Sequence, residues 1–504
     1  MRRRADVCLL LEGTYPYVSG GVSSWVHQII RGLPDLTFAL VFVGGSRRDY
    51  AAPKYQLPAN VVHLETHYLE DALRGHQPRR VRLDGARLES VRGFHGCLRR
   101  WSGTRFDAEV EAGLDALLST ISQPKAIGID DFLFGSGAWE YMRERYLDTC
   151  PSEPFLDYFW TLRLMHGPIF QLAKIAESAP EARVYHTIST GYAGLLGAFL
   201  ERRRGRALVL SEHGIYTKER KIDLNQAEWI DALRPRTQLG IEESGDATRA
   251  LWIAYYEALG RLTYRSANPI IALYGGNRER QLADGADPAR TRVVVNGVDV
   301  KRFESALAAR PAKPPRVVGL VGRVVPIKDV KTFVRAMGFV CEALPDAEGW
   351  VVGGTDEEPA YAEECQALAN NLGLGDRVRF LGHQDVSKMF PQLGVLMLSS
   401  ISEAQPLAVL EAFASGVPCV TTDVGACREQ IEGLTPADRA LGRAGSVVPF
   451  ADPAALGRAA VELLTQSARY AACQRTGLAR VQKFYAHAAM IDAYRNIYQH
   501  AMGQ

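Results

Sequence analysis

The chain lacks any paired-cysteine pattern. Its eight cysteines stand at 8, 97, 150, 341, 365, 419, 427 and 473, with no C-x-x-C among them. That excludes an obvious zinc site and argues against a disulfide frame, and it fits reduced thiols in a cytosol. Long apolar runs are missing too. After the basic start, the run from Val7 to Leu11 stops at Glu12. This is too short for a signal peptide, and nothing approaches the roughly 18 apolar residues of a membrane span. Nor does one charge dominate. A net charge of +2 gives no reason to expect nucleic acid as a partner. Repeats and low-complexity tracts are absent. The 504 residues, 47% apolar and 23% charged, have ordinary globular composition and suffice for two domains with a core each.

What is present is an alternation of strands and helices. Residues 6–11 read as a strand, 12–21 as a Gly-rich loop, 22–33 as a helix and 37–43 as the next strand. This βαβ start puts Gly20 and Gly21 at the ligand end of an open α/β sheet, where backbone without a Cβ can approach a phosphate or sugar closely. The loop is not G-x-G-x-x-G, so no nicotinamide cofactor is indicated. Residues 65 to about 180 break the alternation and predict a mostly helical insertion. Between Arg74 and Arg105 it holds nine arginines against two acids, a solvated basic loop or else a docking patch for an acidic partner or an anionic membrane surface. Alternation resumes at Arg183, with strands at 184–188 and 207–210 and a helix at 190–200. The second of these strands runs into Ser211-Glu212-His213-Gly214, so His213 falls at the carboxyl end of a strand, and His186 is similarly placed. Residues 216–266 predict helix, with Trp229, Trp252, Tyr255, Tyr256 and Leu259 as a core stripe. The Ala/Pro-rich stretch 306–315 is the expected boundary between a first domain, 1–305, and a second, 316–484. A terminal helix, 485–504, is expected to cross back to the first.

The second domain predicts a parallel, doubly wound sheet. Its first strand, 316–321, leads into a loop carrying Arg323 and Lys328, a planar fork and a mobile point charge suited to a diphosphate. A later strand, 378–381, ends in Gly382-His383-Gln384. The richest stretch is SEAQPLAVLEAFASG, 402–416. A buried strand precedes it, Pro406 suits the first helical position, and Gly416 suits a left-handed cap. A helix N-terminus attracts phosphate. Glu403 lies just ahead of that end, and Glu411 about 7.5 Å beyond Pro406 along the axis. An ionised carboxylate only accepts hydrogen bonds. One long ligand therefore fits, with sugar hydroxyls at Glu403, phosphates at the helix end and ribose hydroxyls at Glu411.

The G-R-x4-K loop followed by E-x7-E resembles the retaining glycosyltransferases of family four. These have the GT-B fold, an α/β architecture of two Rossmann-like domains facing across a cleft. The likeness covers most of 1–45, 183–300 and 316–435. EGTYPYVSGGVSSWVHQII, SEHGIYTKER and VGRVVPIKDVKTF are similar to the PelF-type enzymes of bacterial Pel exopolysaccharide systems. The resemblance implies retaining transfer from a UDP-sugar, UDP-glucose or a UDP-N-acetylhexosamine, to a growing exopolysaccharide. It implies no cofactor and no metal, a cytoplasmic chain, and inner-membrane synthase or export proteins as partners. By the same resemblance Arg323 and Lys328 bind the diphosphate, Glu411 the ribose and Glu403 the donor sugar. Backbone at Gln405, Pro406 and Leu407 meets sugar and phosphate. Gly382, His383 and Gln384 form the nucleobase loop, Gly20 and Gly21 close on the donor, and His213 lies near the anomeric carbon. The family often has glycine after the first glutamate, where this chain has Ala404. Two other readings stay open: a UDP-sugar epimerase of the same fold, and a non-catalytic nucleotide-sugar-binding scaffold.

Overall fold

The computed structural model describes residues 4–77, 79, 81, 85–101, 116, 127–149, 151, 154–225 and 246–503. The chain forms two units. The first comprises 1–272, 279–292 and 495–504, the second 273–278 and 293–494. The division thus falls at Val293, upstream of the Ala/Pro-rich stretch. Trp229 and, within the Arg-rich segment, residues 78, 80, 82–84 and 102–105 lie outside the described residues. Among the described residues no helix is long and apolar enough to cross a membrane.

The first unit is built on a seven-stranded sheet in the order β3-β2-β1-β4-β5-β6-β7. Its strands are β1 Ala5–Glu12, β2 Phe38–Gly44, β3 Val61–Tyr68, β4 Ala182–Thr187, β5 Leu208–Glu212, β6 Ala267–Ala272 and β7 Thr291–Val293. The pairs of β1 with β2 and β4, β2 with β3, β4 with β5 and β5 with β6 are parallel. Central strands of such a sheet are covered on both faces, which is why β2 reads FALVFVG and is buried throughout. β3 corrects the expected start of the insertion at 65. It is an edge strand, half-buried along its whole length, and its sequence VVHLETHY mixes polar with apolar residues.

Helices α1 Gly21–Gly32, α2 Leu69–Arg74, α3 Gly85–Trp101, α4 Ile129–Phe134, α5 Ser136–Thr149, α6 Phe155–Ser178, α7 Tyr192–Arg204, α8 Tyr216–Asn225 and α9 Asp246–Ser266 belong to this unit. From α2 to α6 the described insertion is helical. Its core face includes Phe94, Phe132, Leu162, Met165 and Ile169, packed with Trp252, Tyr255 and Leu259 of α9.

The second unit has six strands: β8 Val317–Val321, β9 Glu348–Val352, β10 Val378–Gly382, β11 Val395–Leu398, β12 Cys419–Thr422 and β13 Gly445–Val448. They run in the order β10-β9-β8-β11-β12-β13, with every neighbouring pair parallel. Its helices include α10 Val330–Ala343, α11 Pro359–Asn371, α12 Leu407–Ala414, α13 Cys427–Glu432, α14 Pro453–Thr465 and α15 Ser467–Phe484. In α10 the buried residues Val330, Phe333, Val334, Met337 and Val340 recur at helical spacing. Each large apolar side chain among them contributes about 1.5–3 kcal/mol by burial. The last helix, α16 His487–Gly503, contributes residues 495–503 to the first unit.

Strand order reverses at one place in each sheet, between β1 and β4 and between β8 and β11. Ligands of open α/β sheets bind beyond the carboxyl ends of the strands at such switch points.

Candidate functional site

At the second switch point, the loops after β8 and β11 are laced together. Ile401 N–H donates to the Ile327 carbonyl at 3.0 Å, and Ser399 Oγ to the Lys328 carbonyl at 2.9 Å. The Asp329 carboxylate then caps α10 by accepting from Thr332 N–H at 3.2 Å, which fixes the loop's exit. Within this frame Lys328 Nζ donates to Glu403 Oε1 at 2.6 Å, and Ser400 Oγ donates to the same oxygen at 2.6 Å. The pair is largely buried, with side chains 19% and 9% exposed. Glu403 Oε2 takes no bond from the described residues. The remaining ammonium protons of Lys328 and this second oxygen are the groups a ligand would meet.

Arg323 and Lys328 leave one loop but part company. One guanidinium nitrogen of Arg323, Nη1, donates to both oxygens of Glu357, at 2.6 Å each, in a pair about half exposed. Pro406 is also shifted from expectation. It is the N-cap of α12, with φ −67° and ψ 116°, and the helix begins at Leu407. Its extended conformation follows from its carbonyl accepting from Gln430 Nε2 of α13 at 3.2 Å. Next to it the buried Gln405 accepts from Asn296 N–H through Oε1 at 2.6 Å, so its side chain is structural. Gly416 does adopt the left-handed conformation, φ +71°. Glu411 projects from α12 without a hydrogen bond from the described residues. Burial pushes its carboxyl up to about 7, and nearby Arg302 only partly offsets this.

Gly382 ends β10, half-buried, and the exposed His383 and Gln384 follow it in a turn in which Gln384 Nε2 donates back to the Leu381 carbonyl at 2.8 Å. Gly425 supports the Glu403 loop from beneath. Its φ is +55°, and a Cβ there would lie 2.2 Å from the Glu403 carbonyl oxygen and 2.5 Å from that of Ala404. Ala426 N–H meanwhile holds the Ala404 carbonyl at 2.8 Å. Gly425→Ala is expected to cost about 1–2 kcal/mol through the left-handed backbone alone, and more through the clash. Chemical denaturation checks this, and an unchanged midpoint would contradict so tight a seat.

In the first unit, Gly20 caps α1 and Gly21 opens it, both exposed. A Cβ on either would meet nothing within 4 Å, so no contact inside the chain demands glycine there. His213 follows β5 and is buried, its ring edge-on to Trp25 with centroids 4.6 Å apart. Burial drives its pKa down to about 3, so it is a neutral imidazole at ordinary pH. His186 is structural, donating or accepting at both ring nitrogens, with Tyr498 Oη at 2.7 Å and Ser211 Oγ at 2.9 Å.

Glu12, the last residue of β1, sits at the first unit's switch point and was not singled out from the sequence. Ser189 Oγ and Ala193 N–H donate to its Oε2, both at 3.0 Å, and Tyr216 Oη to its Oε1 at 2.9 Å. Its signal was positional: a carboxylate that ends an otherwise apolar central strand. Glu357 and Arg302 were also missed, because each acts through a partner distant in sequence, and so was Ser400, whose partner Glu403 is only three residues away. Trp252 and Tyr256, expected as core stripe, also line a cavity in this unit. Among the described residues no three His, Cys, Asp or Glu side chains group so as to hold a metal ion.

Residues 5–289 match the family described as Domain of unknown function (DUF3492), and residues 315–466 match Glycosyl transferases group 1. Over 221 residues the chain is 31% identical to the lipopolysaccharide core biosynthesis mannosyltransferase LpsB of Rhizobium meliloti, covering 42% of this chain and 61% of that protein. Over 205 residues it is 35% identical to the D-inositol 3-phosphate glycosyltransferase of Mycolicibacterium vanbaalenii, covering 35% and 44%. The chain thus spans less than two thirds of these relatives' length. Among solved structures, Anabaena HepE in complex with UDP and glucose superposes with TM-score 0.59 at 15% identity, over 98% of this chain and 99% of that one. Sucrose-phosphate synthase from Thermosynechococcus elongatus gives 0.58 at 18%, over 99% of both. These likenesses establish the GT-B fold.

Proposed function

Because the chain belongs to the family described as Domain of unknown function (DUF3492) and carries a group 1 glycosyl transferase match behind it, we propose that it is a retaining glycosyltransferase. It moves a sugar from a UDP-sugar, UDP-glucose or a UDP-N-acetylhexosamine, to a growing exopolysaccharide of the Pel type. One observation carries the reading. Lys328 and Ser400 converge on one oxygen of Glu403 at the second sheet's switch point and leave the other oxygen open.

In this reading Glu403 Oε2 accepts donor-sugar hydroxyls while Lys328 shares its ammonium between Glu403 and the β-phosphate. Arg323 joins them by leaving Glu357. An exposed pair is worth about 0–1 kcal/mol, so that exchange is cheap. Together the two cations neutralise a diphosphate, and we assign no metal and no other cofactor. The backbone after Gln405, past Pro406 into Leu407, presents the N–H groups at the start of α12 to phosphate. The acceptor hydroxyl attacks the anomeric carbon from the face the phosphate leaves. The carbon–oxygen bond to the β-phosphate breaks, and the hydroxyl proton passes to that departing oxygen. His213, neutral as it is, serves as a hydrogen-bonding group beside the sugar and not as a cation. Gly20 and Gly21 let backbone approach the donor, and Gly382, His383 and Gln384 flank the base. The enzyme works at the cytoplasmic membrane face with separate synthase or export proteins. A panel of UDP-sugars, scored for UDP release and for protection against heating, tests the reading. Protection without release by any donor would leave only a binding protein.

Glu411 adds a pH signature. Its pKa is raised by burial from 4.5 to about 7, so between those values the folded state holds a proton that the unfolded state does not. This group's contribution to stability therefore falls as pH rises through that window. Ribose hydroxyls donate to the ionised form, so UDP affinity is expected to rise about tenfold between pH 6 and 8 from this group alone. Glu411→Gln removes that part of the rise, while ionisation of UDP itself is common to both proteins. Calorimetric titration at the two pH values reads the ratio, and an equal rise in both proteins would rule Glu411 out.

A further inference from the structure

The first unit encloses a cavity of about 900 Å³ that runs from Glu12 and His213, at the carboxyl ends of β1 and β5, to helix α6. Ligand pockets have volumes of this order. Along α6, Trp160, Leu164 and Pro168 line the cavity. They are spaced by four residues and so form one row on the helix. Leu156 continues the row a turn further out. Leu156, Trp160 and Leu164 are 62%, 45% and 46% exposed. The opposite face of α6 is already committed to the core through Leu162, Met165 and Ile169. α6 therefore presents a second apolar face, about 12 Å long from Leu156 to Leu164, that stands open and runs into the buried Pro168. Trp252 and Tyr256 form a facing wall.

Two carboxylates of this cavity are already engaged. Glu12 already accepts three hydrogen bonds, and Glu70 is paired with Arg74. Of the cavity's arginines, Arg74 pairs with Glu70 and Arg220 with Asp223, which leaves Arg163. Half-buried on the row's flank, it has no carboxylate partner among the described residues. Its contacts are the Leu73 carbonyl at 3.3 Å and the rings of Trp160 and Phe134 at 5.1 and 5.5 Å. A cation in that position is electrostatically incomplete without an anion.

We propose that the cavity binds an anionic amphiphile. Its aliphatic chain lies along Leu156, Trp160, Leu164 and Pro168, and its phosphate pairs with Arg163. Calling this occupant the acceptor of sugar transfer rests on the proposed function; the binding site itself does not.

Dodecyl phosphate, titrated into the full chain below its micelle concentration and followed by tryptophan fluorescence, is the direct probe. It should bind at least tenfold more tightly than octyl phosphate, since full burial of four methylenes would give roughly 200-fold. Inorganic phosphate and maltotriose should not compete. Leu164→Gln, at an exposed position, should weaken both alkyl phosphates about tenfold without moving the denaturation midpoint. Arg163→Gln should weaken dodecyl phosphate and leave dodecyl maltoside unaffected. Chain-length independence, competition by maltotriose, or unchanged affinity in Leu164→Gln would overturn the site. UDP release from UDP-sugars, measured on the same protein, separates the two claims. Turnover without amphiphile binding removes this inference alone, and amphiphile binding without any UDP-sugar recognition keeps the site and removes the transferase.

Discussion

Lys328→Ala is expected to lower UDP-sugar turnover about 10²–10³-fold, the usual loss when one preorganised donor to developing charge is removed. The expectation comes from how tightly the residue is placed. Its carbonyl is held by Ser399, its neighbour's by Ile401, and its ammonium by Glu403. A flexible surface lysine would have to order itself as the phosphate leaves, whereas this one has done so on folding. The loss should therefore fall mainly on kcat. Glu403, deprived of its cation, keeps the Ser400 hydroxyl and an accessible second oxygen, so the fold should survive with a modestly lower midpoint. Arg323→Ala should slow transfer less, because in the free protein its partner is the exposed Glu357. A chelator should change neither rate. Steady-state kinetics with the best UDP-sugar of the panel decides the matter. A Lys328→Ala protein within threefold of the parent would remove Lys328 from the mechanism.

That Lys328 and Glu403 both fall at the ligand edge of the second sheet was legible in the sequence for a physical reason, although their ion pair was not. Strands buried on both faces read as short continuous apolar runs, so 316–321 and 395–398 stand out, and the residues after them fall at the sheet's ligand edge. Elements obeying a different logic were harder. β3 is an edge strand, so its VVHLETHY pattern carries neither a clean alternation nor a full apolar run. Trp252 and Tyr256 share a face at helical spacing, but periodicity says which residues go together and not what lies opposite. Here part of that is a cavity wall. Arg323 pairs with Glu357 thirty-four residues on, a choice made by loop packing. Pro406 satisfies the rules for a first helical residue, yet it caps instead, because Gln430 of α13 claims its carbonyl. The stretch 306–315 has linker composition, but Phe303 and Ala306 pack into the second unit's core, so the chain has entered that unit before it.

Arg480 is the residue whose loss should cost the most stability, and nothing in α15 marks it out, since arginines also stand at 469 and 475. It is 0% exposed and ion-paired with the equally buried Asp438. Its guanidinium also donates to the carbonyls of Gln430 and Ile431 at 3.2 and 2.6 Å, and to those of Asp438 and Gly442 at 3.1 and 2.7 Å. One side chain thus satisfies the carboxyl end of α13 and the turns after it. That favours a planar fork over a lysine, whose single ammonium cannot reach so many acceptors at once. Arg480→Met leaves the buried Asp438 carboxylate without its cation and takes one donor from four carbonyls, of which those of Ile431 and Asp438 keep a backbone N–H, and breaking a buried pair this way costs about 3–5 kcal/mol. At about 2–4 °C per kcal/mol for a unit of this size, the melting temperature should drop by roughly 10 °C or more. Arg480→Met combined with Asp438→Asn should recover part of the loss, because the stranded charge is gone while the carbonyls of Gln430 and Gly442 still lack the guanidinium. The effect should also reach the site. α13 holds Pro406 through Gln430, and Ala426, just ahead of it, holds Ala404. A partly folded Arg480→Met protein should therefore lose UDP protection before it loses its far-ultraviolet signal on warming. If Arg480→Met costs less than about 1 kcal/mol, or the double variant is no better than the single, the buried charge is not what holds α13 in place.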